Sequence, residues 1–109
     1  MKKKLYKVMD LLEFEKENNV EVSVIERDMR MEAYTGSRYY ATIENAEIGG
    51  DGILCSVHGN SNSVSGALKA YAREISRTTL VVDAYKETRR TINVPVLTYE
   101  AHADDEERE

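Results

Sequence analysis

Residues 59–77 read GNSNSVSGALKAYAREISR and contain the clearest helix signal in the chain. The Asn and Ser side chains at its start are of the type that accepts hydrogen bonds from the first free backbone amides of a helix. Apolar residues then recur at the spacing of one helix face, at Val64, Ala67, Leu68, Tyr71, Ala72 and Ile75. The pattern predicts a main helix at about 63–77 that packs with this face against a sheet.

Segments with the two-residue period of half-buried strands lie on both sides of this helix. They cover residues 20–24, 29–34, 39–43, 53–57, 80–84 and 92–99. The glycine-rich run at 49–52 predicts the turn of an antiparallel hairpin between 39–43 and 53–57. Because Pro95 cannot donate a ladder hydrogen bond, we expect its strand to lie at a sheet edge or to pair on the side away from that residue.

An apolar stripe near the N-terminus predicts a further helix from about Lys3 to Phe14. Together these elements predict an α+β fold of two layers, in which an antiparallel sheet of four to six strands has the N-terminal helix and the main helix packed on one face. We expect residues 1–100 to form a single α+β domain. Residues 101–109 are acidic and poor in apolar side chains, and we expect a disordered tail there.

The composition is that of an ordinary globular domain, with 109 residues of which 41% are hydrophobic and 32% charged. A net charge of -5 argues against binding nucleic acid through bulk charge. Cys55 is the only cysteine, so an intrachain disulfide is excluded and a reducing compartment is favoured. No run approaches the roughly 20 apolar residues of a membrane-spanning helix, and we expect a cytoplasmic protein.

Side chains able to break bonds are few and scattered. Cys55 and His58 have the spacing of a metal-ligand pair, but no second pair completes a site. The run at 49–52 lacks the lysine ending of a phosphate-binding loop, and 59–63 is better explained as a helix cap. We therefore predict no catalytic residue, no metal and no cofactor.

Two charged surfaces are the candidates for binding a partner. The first is acidic and includes nearby tyrosines that suit an interface; its residues are Asp28, Glu32, Tyr34, Tyr39, Tyr40, Glu44 and Glu47. The second is a basic patch formed by Lys69, Arg73 and Arg77, spaced by four residues along the main helix, and extended by Arg89 and Arg90 if the turn at 86–90 folds back towards the helix end. For each set the alternative interpretation is an ordinary solvated face that binds no partner.

Two resemblances bear on function. The segments 39–43, 49–52, 59–61 and 67–72 resemble the strand, turn, strand and helix core of HicB-type antitoxin domains. The segments 50–54, 59–60, 71–76, 80–85 and 89–95 resemble a family of small proteins encoded by phages and prophages of Gram-positive bacteria. Small acidic phage proteins of this kind include inhibitors of host defence, among them anti-CRISPR proteins that block a CRISPR effector nuclease.

The second resemblance implies a phage-derived, non-enzymatic binding protein that inhibits a host defence nuclease through its acidic surface. The first implies the alternative, a HicB-like antitoxin or nucleic-acid-binding regulatory module that uses the basic patch. On the first hypothesis the partner is a host protein that processes nucleic acid. Neither hypothesis involves a membrane, and the sequence leaves the oligomeric state open.

Overall fold

The computed structural model describes residues 8–30, 36–50 and 53–100. In this part of the chain the helices are α1 (Leu11–Asn18) and α2 (Val64–Ile75). The strands are β1 (Val8–Asp10), β2 (Val22–Glu26), β3 (Tyr39–Ile43), β4 (Ala46–Gly50), β5 (Ile53–Cys55), β6 (Gly59–Ser61), β7 (Thr79–Val82), β8 (Arg90–Asn93) and β9 (Val96–Thr98). The predicted α+β class is confirmed. Among the described helices, none is long and apolar enough to cross a membrane.

The strands form two antiparallel sheets and one parallel pair rather than the single sheet that the sequence predicted. The first sheet has the order β2-β3-β6, the second has the order β5-β4-β7-β8, and β1 pairs with β9 in parallel. The chain passes from the first sheet to the second at Glu44 and Asn45, between β3 and β4. Asn45 has a left-handed φ of 61° at this corner, a conformation that Asn adopts more readily than most residues.

Helix α2 supplies much of the hydrophobic core, and all six residues of its predicted apolar face are buried. Its start is also as predicted, since Ser63 Oγ accepts a hydrogen bond from the Gly66 amide at 3.0 Å. Gly59 on β6 allows a close approach of helix and sheet. A Cβ at this position would overlap Tyr71 N and Ala67 O, so the helix backbone lies directly on the strand.

The prediction of an N-terminal helix is wrong for Val8–Asp10. These residues form β1 and pair with Val96–Thr98 of β9. That partner lies far along the chain, and a local pattern cannot reveal it. Asp10 then caps α1, its Oδ1 accepting a hydrogen bond from the Leu12 amide at 2.9 Å. The earlier part of the predicted helix, at 1–7, lies outside the described residues.

Two other predicted strands also differ from the structure. The strand predicted at 29–34 is contradicted where it is described, since Met29 and Arg30 are helical, and residues 31–34 lie outside the described part. The strand predicted at 92–99 is interrupted between Asn93 and Val96, giving β8 and β9. Pro95 lies in this interruption and belongs to neither strand, so the prediction about its strand does not apply.

A hairpin does form around the predicted turn, but it pairs β4 with β5. The prediction that residues 39–43 form its first strand is wrong, since β3 pairs with β2 and β6 instead. Gly49 and Gly50 belong to β4 rather than to the turn. A Cβ on Gly49 would lie 3.3 Å from Val81 Cγ2 and 3.4 Å from Leu54 Cδ2, so the glycine leaves room for these two side chains. The predicted acidic tail at 101–109 lies outside the described residues.

Candidate binding surface

A concave surface lies at the corner between the two sheets. It is a groove of about 430 Å³ whose polar lining includes Glu44, Glu47, Asp83, His58, Tyr85 and Lys86. We call it the acidic groove. Glu44 lies on the turn between β3 and β4, Glu47 lies on β4, and Asp83 follows β7 directly. These elements meet because Ala46 of β4 is paired with Val82 of β7.

A backbone hydrogen bond fixes the floor of the acidic groove. The Asp83 amide donates to the Asn45 carbonyl at 2.8 Å, and both residues have left-handed φ angles. The Asp83 side chain is held in turn by Thr88, whose Oγ1 donates to Oδ2 at 2.8 Å. The groove is therefore built on two connected turns.

The carboxylates of the acidic groove are available to a partner. Glu44 is exposed, and Glu47 and Asp83 are half-buried. The salt bridge found in residues 8–30, 36–50 and 53–100 joins Arg38 to Glu26 at 2.6 Å. None of the three carboxylates of the acidic groove forms a salt bridge with a described cation. Carboxylates in this state give a surface a negative potential that attracts a basic partner.

Tyr85 is the exposed aromatic residue of this site, with 86% of its surface accessible. It lies in the turn after β7, where the Lys86 amide donates to the Asp83 carbonyl at 3.0 Å. A large exposed tyrosine beside unpaired carboxylates is typical of an interface anchor. Neither Asp83 nor Tyr85 was among the site residues predicted from the sequence, although an aromatic residue within a polar turn is a signal that points to Tyr85.

A second groove, of about 600 Å³, continues the acidic groove on the other side of Glu44 and Asp83. Its lining adds Glu21 and Arg90. Arg90 donates from Nη2 to the Asn19 carbonyl at 3.1 Å, which ties the start of β8 to the end of α1. The two grooves give one concave surface with Glu44 at its centre.

Next to the acidic groove, the outer face of the first sheet carries a stack of three side chains. The Arg27 guanidinium lies 4.7 Å from the centroid of the Tyr40 ring, and the His58 ring meets the same tyrosine edge-on at 5.1 Å. Arg27 Nη2 also donates to Asn60 Oδ1 at 2.6 Å. Partial burial, and secondly the charge of Arg27, lower the pKa of His58 below its usual value.

The structure separates the acidic residues and tyrosines that the sequence grouped. Glu44 and Glu47 share the acidic groove, and Tyr40 adjoins it through His58. Tyr39 is only 6% exposed and belongs to the core, so its ring is not an interface anchor. Asp28 follows the end of β2 at Glu26, which pairs with Tyr39 at the start of β3. Glu44 follows the other end of β3, so Asp28 is not part of the acidic groove. Glu32 and Tyr34 lie outside the described residues.

The basic residues also fall into separate groups. Lys69 and Arg73 are exposed one turn apart on α2, and Arg77 follows the helix in a left-handed conformation. Arg90 pairs with Val82, whereas the end of β7 next to Arg77 pairs with Asn93. Arg89 precedes Arg90 and donates to the Ala84 carbonyl at 3.2 Å. The turn at 86–90 therefore does not extend the helix stripe.

The candidate catalytic and metal-binding residues do not assemble in the described part of the chain. Cys55 and His58 are both exposed, and no group of three His, Cys, Asp or Glu side chains there is arranged to hold a metal ion. The segment 59–63 ends in the Ser63 cap described above. No family model, no curated protein and no solved structure matches the chain.

Proposed function

We propose that this chain is a phage-derived, non-enzymatic inhibitor that acts in the cytoplasm of a bacterial host by binding a defence nuclease of the CRISPR effector type. The acidic groove is the proposed contact surface, and the nucleic-acid channel of the nuclease is its proposed target. The observation that carries the proposal is the meeting of Glu44, Glu47 and Asp83 beside an almost fully exposed Tyr85.

Charge and contact area both support the nucleic-acid channel as the target. A nuclease channel is lined with Lys and Arg that neutralise phosphates. Carboxylates that form no salt bridge with a described cation can pair with these side chains, and so imitate the spaced negative charge of a nucleic-acid backbone. Tyr85 supplies a large contact area at a small cost in side-chain entropy. The resemblance to phage proteins, given above, supports the choice of a host nuclease as the partner.

The alternative function, a HicB-like antitoxin or nucleic-acid-binding module, depends on the basic residues. Lys69 and Arg73 favour it, since they form an exposed pair on one face of α2. A mobility-shift assay with duplex DNA and duplex RNA at low salt separates the two hypotheses. The inhibitor predicts no shift, whereas the alternative predicts a shift that Lys69→Glu with Arg73→Glu abolishes.

The inhibitor is tested by a cleavage assay with a purified, guide-loaded CRISPR effector nuclease from a Gram-positive bacterium. We expect inhibition that reaches completion near one chain per nuclease. The double variant Glu44→Lys with Glu47→Lys should lose it, while Glu74→Lys, which changes an exposed charge on α2, should inhibit as well as the original chain. Inhibition that survives the groove variant, or none against a panel of such effectors, would overturn the proposal.

A further inference from the structure

His58 contributes a titratable ring to the lining of the acidic groove. It is an exposed residue in the segment between β5 and β6. Histidine is the side chain whose ordinary titration falls between pH 5 and 8. A change of pH within this range therefore alters the charge that the groove presents to a partner.

The charge of this ring is large in proportion to the charge of the acidic groove. The groove lining carries three carboxylates, those of Glu44, Glu47 and Asp83, and one ammonium group, that of Lys86. With a neutral His58 the lining has a net charge of -2, and protonation of the ring reduces it to -1. One proton thus halves the net negative charge that attracts a basic partner.

Contacts with the first sheet hold the ring in this position. The His58 ring meets the Tyr40 ring edge-on, with the centroids 5.1 Å apart and an angle of 64° between the planes. Just before it, the Val57 carbonyl accepts a hydrogen bond from Thr42 Oγ1 at 3.3 Å. Tyr40 and Thr42 lie on the outer face of β3, since the residues that alternate with them are buried. Because the ring is attached to a strand, it cannot easily move away from the groove when it becomes charged.

The charged group on the other side of Tyr40 is also fixed. Arg27, directly after β2, has its guanidinium 4.7 Å from the centroid of the Tyr40 ring, and its Nη1 donates to the Ser37 and Tyr39 carbonyls at 3.2 Å each. The other titratable groups around His58 belong to the groove lining, from the turn after β3, from β4 and from the turn after β7: Glu44, Glu47, Asp83, Tyr85 and Lys86. Partial burial and the charge of Arg27 lower the pKa of His58, so the midpoint of its protonation lies below the ordinary 6.5.

We propose that the proton on His58 regulates the acidic groove, so that a basic partner binds more weakly when the ring is protonated. The inference rests on the proposed function, in which Lys and Arg of the partner enter the groove. A partner cation in a groove of about 430 Å³ lies roughly within one Debye length of the ring, about 10 Å at 0.1 M salt, so the two positive charges repel each other. The coupling is reciprocal, and a bound basic partner must in turn favour loss of the proton.

The probe for the test is a short oligoarginine peptide with blocked ends. Its charge does not change with pH, because guanidinium groups stay protonated in this range. Binding to the full chain is followed by NMR at constant ionic strength, from about pH 8 to pH 5. The amides of Glu47 and Asp83 report the affinity, so that peptide bound elsewhere on the chain is not counted. We expect the affinity to fall roughly 5-fold as the pH falls, the size expected for one unit charge about 8 Å away in a partly solvated site.

Two substitutions fix the charge at position 58. His58→Gln should keep the affinity of the high-pH state over the whole range, and His58→Lys should keep the weaker affinity of the low-pH state. His102→Gln, at the other histidine of the sequence, is the matched control and should leave the pH dependence unchanged. Arg27→Gln should move the midpoint to higher pH, because it removes a charge that disfavours the protonated ring.

An affinity that does not change with pH, or a pH dependence that His58→Gln leaves unchanged, would overturn the inference. No response of the Glu47 and Asp83 amides at pH 8, where the groove is most negative, would also overturn it. The proposed function fails separately. Peptide binding with the expected pH dependence, without inhibition of any effector nuclease, would refute the inhibitor and leave the regulation by His58 in place. A nuclease inhibited equally by the original chain and by His58→Gln at the acid end of the range would refute the regulation alone.

Discussion

The phenol oxygen of Tyr71 accepts a hydrogen bond from the Ile43 amide at 3.2 Å and so completes the first sheet. Strand β6 pairs with β3 only as far as Ala41. The Ile43 amide, two residues further along β3, therefore has no partner on β6. Helix α2 supplies the missing acceptor. Ile43 itself lines the acidic groove. The main helix therefore helps to hold the corner on which the candidate site is built.

Tyr71→Phe should destabilise the chain, because it leaves the buried Ile43 amide without an acceptor. A buried polar group that loses its partner costs about 1–3 kcal/mol, and urea denaturation should show a loss of this size. Tyr85→Phe is the matched control, since that side chain is 86% exposed and the change should have no measurable effect. Equal stability of the two variants would mean that the phenol does not support the sheet.

Gly59→Ala should destabilise the chain more than Gly49→Ala. At Gly59 the added Cβ would lie 2.7 Å from Tyr71 Cα and overlap backbone atoms that cannot move aside, whereas at Gly49 it would meet the Val81 and Leu54 side chains at 3.3 and 3.4 Å. Overpacking of a core usually costs about 1–3 kcal/mol and sometimes more. We expect Gly59→Ala at or above the top of that range by thermal or urea denaturation. The reverse order would contradict the close packing of α2 on β6.

Ser63→Ala should remove the cap of α2 and lower the free energy of unfolding by about 1 kcal/mol. The hydroxyl accepts the Gly66 amide at 3.0 Å, and alanine leaves that amide without an acceptor from the chain. Ser65→Ala, two residues further into the helix, changes the same chemical group without removing a cap and is the control. If both substitutions cost the same, the Ser63 hydroxyl does not cap the helix.

The pKa of His58 should lie below 6.5 in the folded chain, because burial and the nearby charge of Arg27 disfavour the protonated ring. The unfolded chain then binds the proton more readily, so this residue makes the fold less stable as the pH falls below about 6.5, the usual pKa of histidine. An NMR titration of the imidazole protons measures the pKa directly. Arg27→Gln should raise it while leaving it below 6.5, and an unshifted pKa in the original chain would refute the assignment.

The local parts of the fold were predictable from the sequence, and the long-range parts were not. The Ser63 cap and the apolar spacing from Val64 defined α2, since both signals lie within the helix itself. Strand β1 was missed because its partner β9 comes from the other end of the described chain. The apolar residues around Val8 fit a helical spacing as well as a strand.

The candidate site was likewise predictable only where it depends on local sequence. Glu44 and Glu47 were predicted because their charges are visible in the sequence. Asp83 and Tyr85 join them only through the pairing of β4 with β7, and the sequence does not specify this register. Tyr39 was assigned to the surface, yet the alternation along β3 directs its ring into the core.

The most direct measurement of the proposed function is competition between this chain and nucleic acid for the same nuclease. The affinity of the chain for the effector is determined by calorimetry or interferometry, without nucleic acid and then with target DNA bound in the channel. If the acidic groove takes the place of the nucleic-acid backbone, bound DNA should abolish binding of the chain, and added salt should weaken the complex formed without DNA. Equal affinity in the presence and absence of DNA would contradict the proposal that the acidic groove occupies the channel.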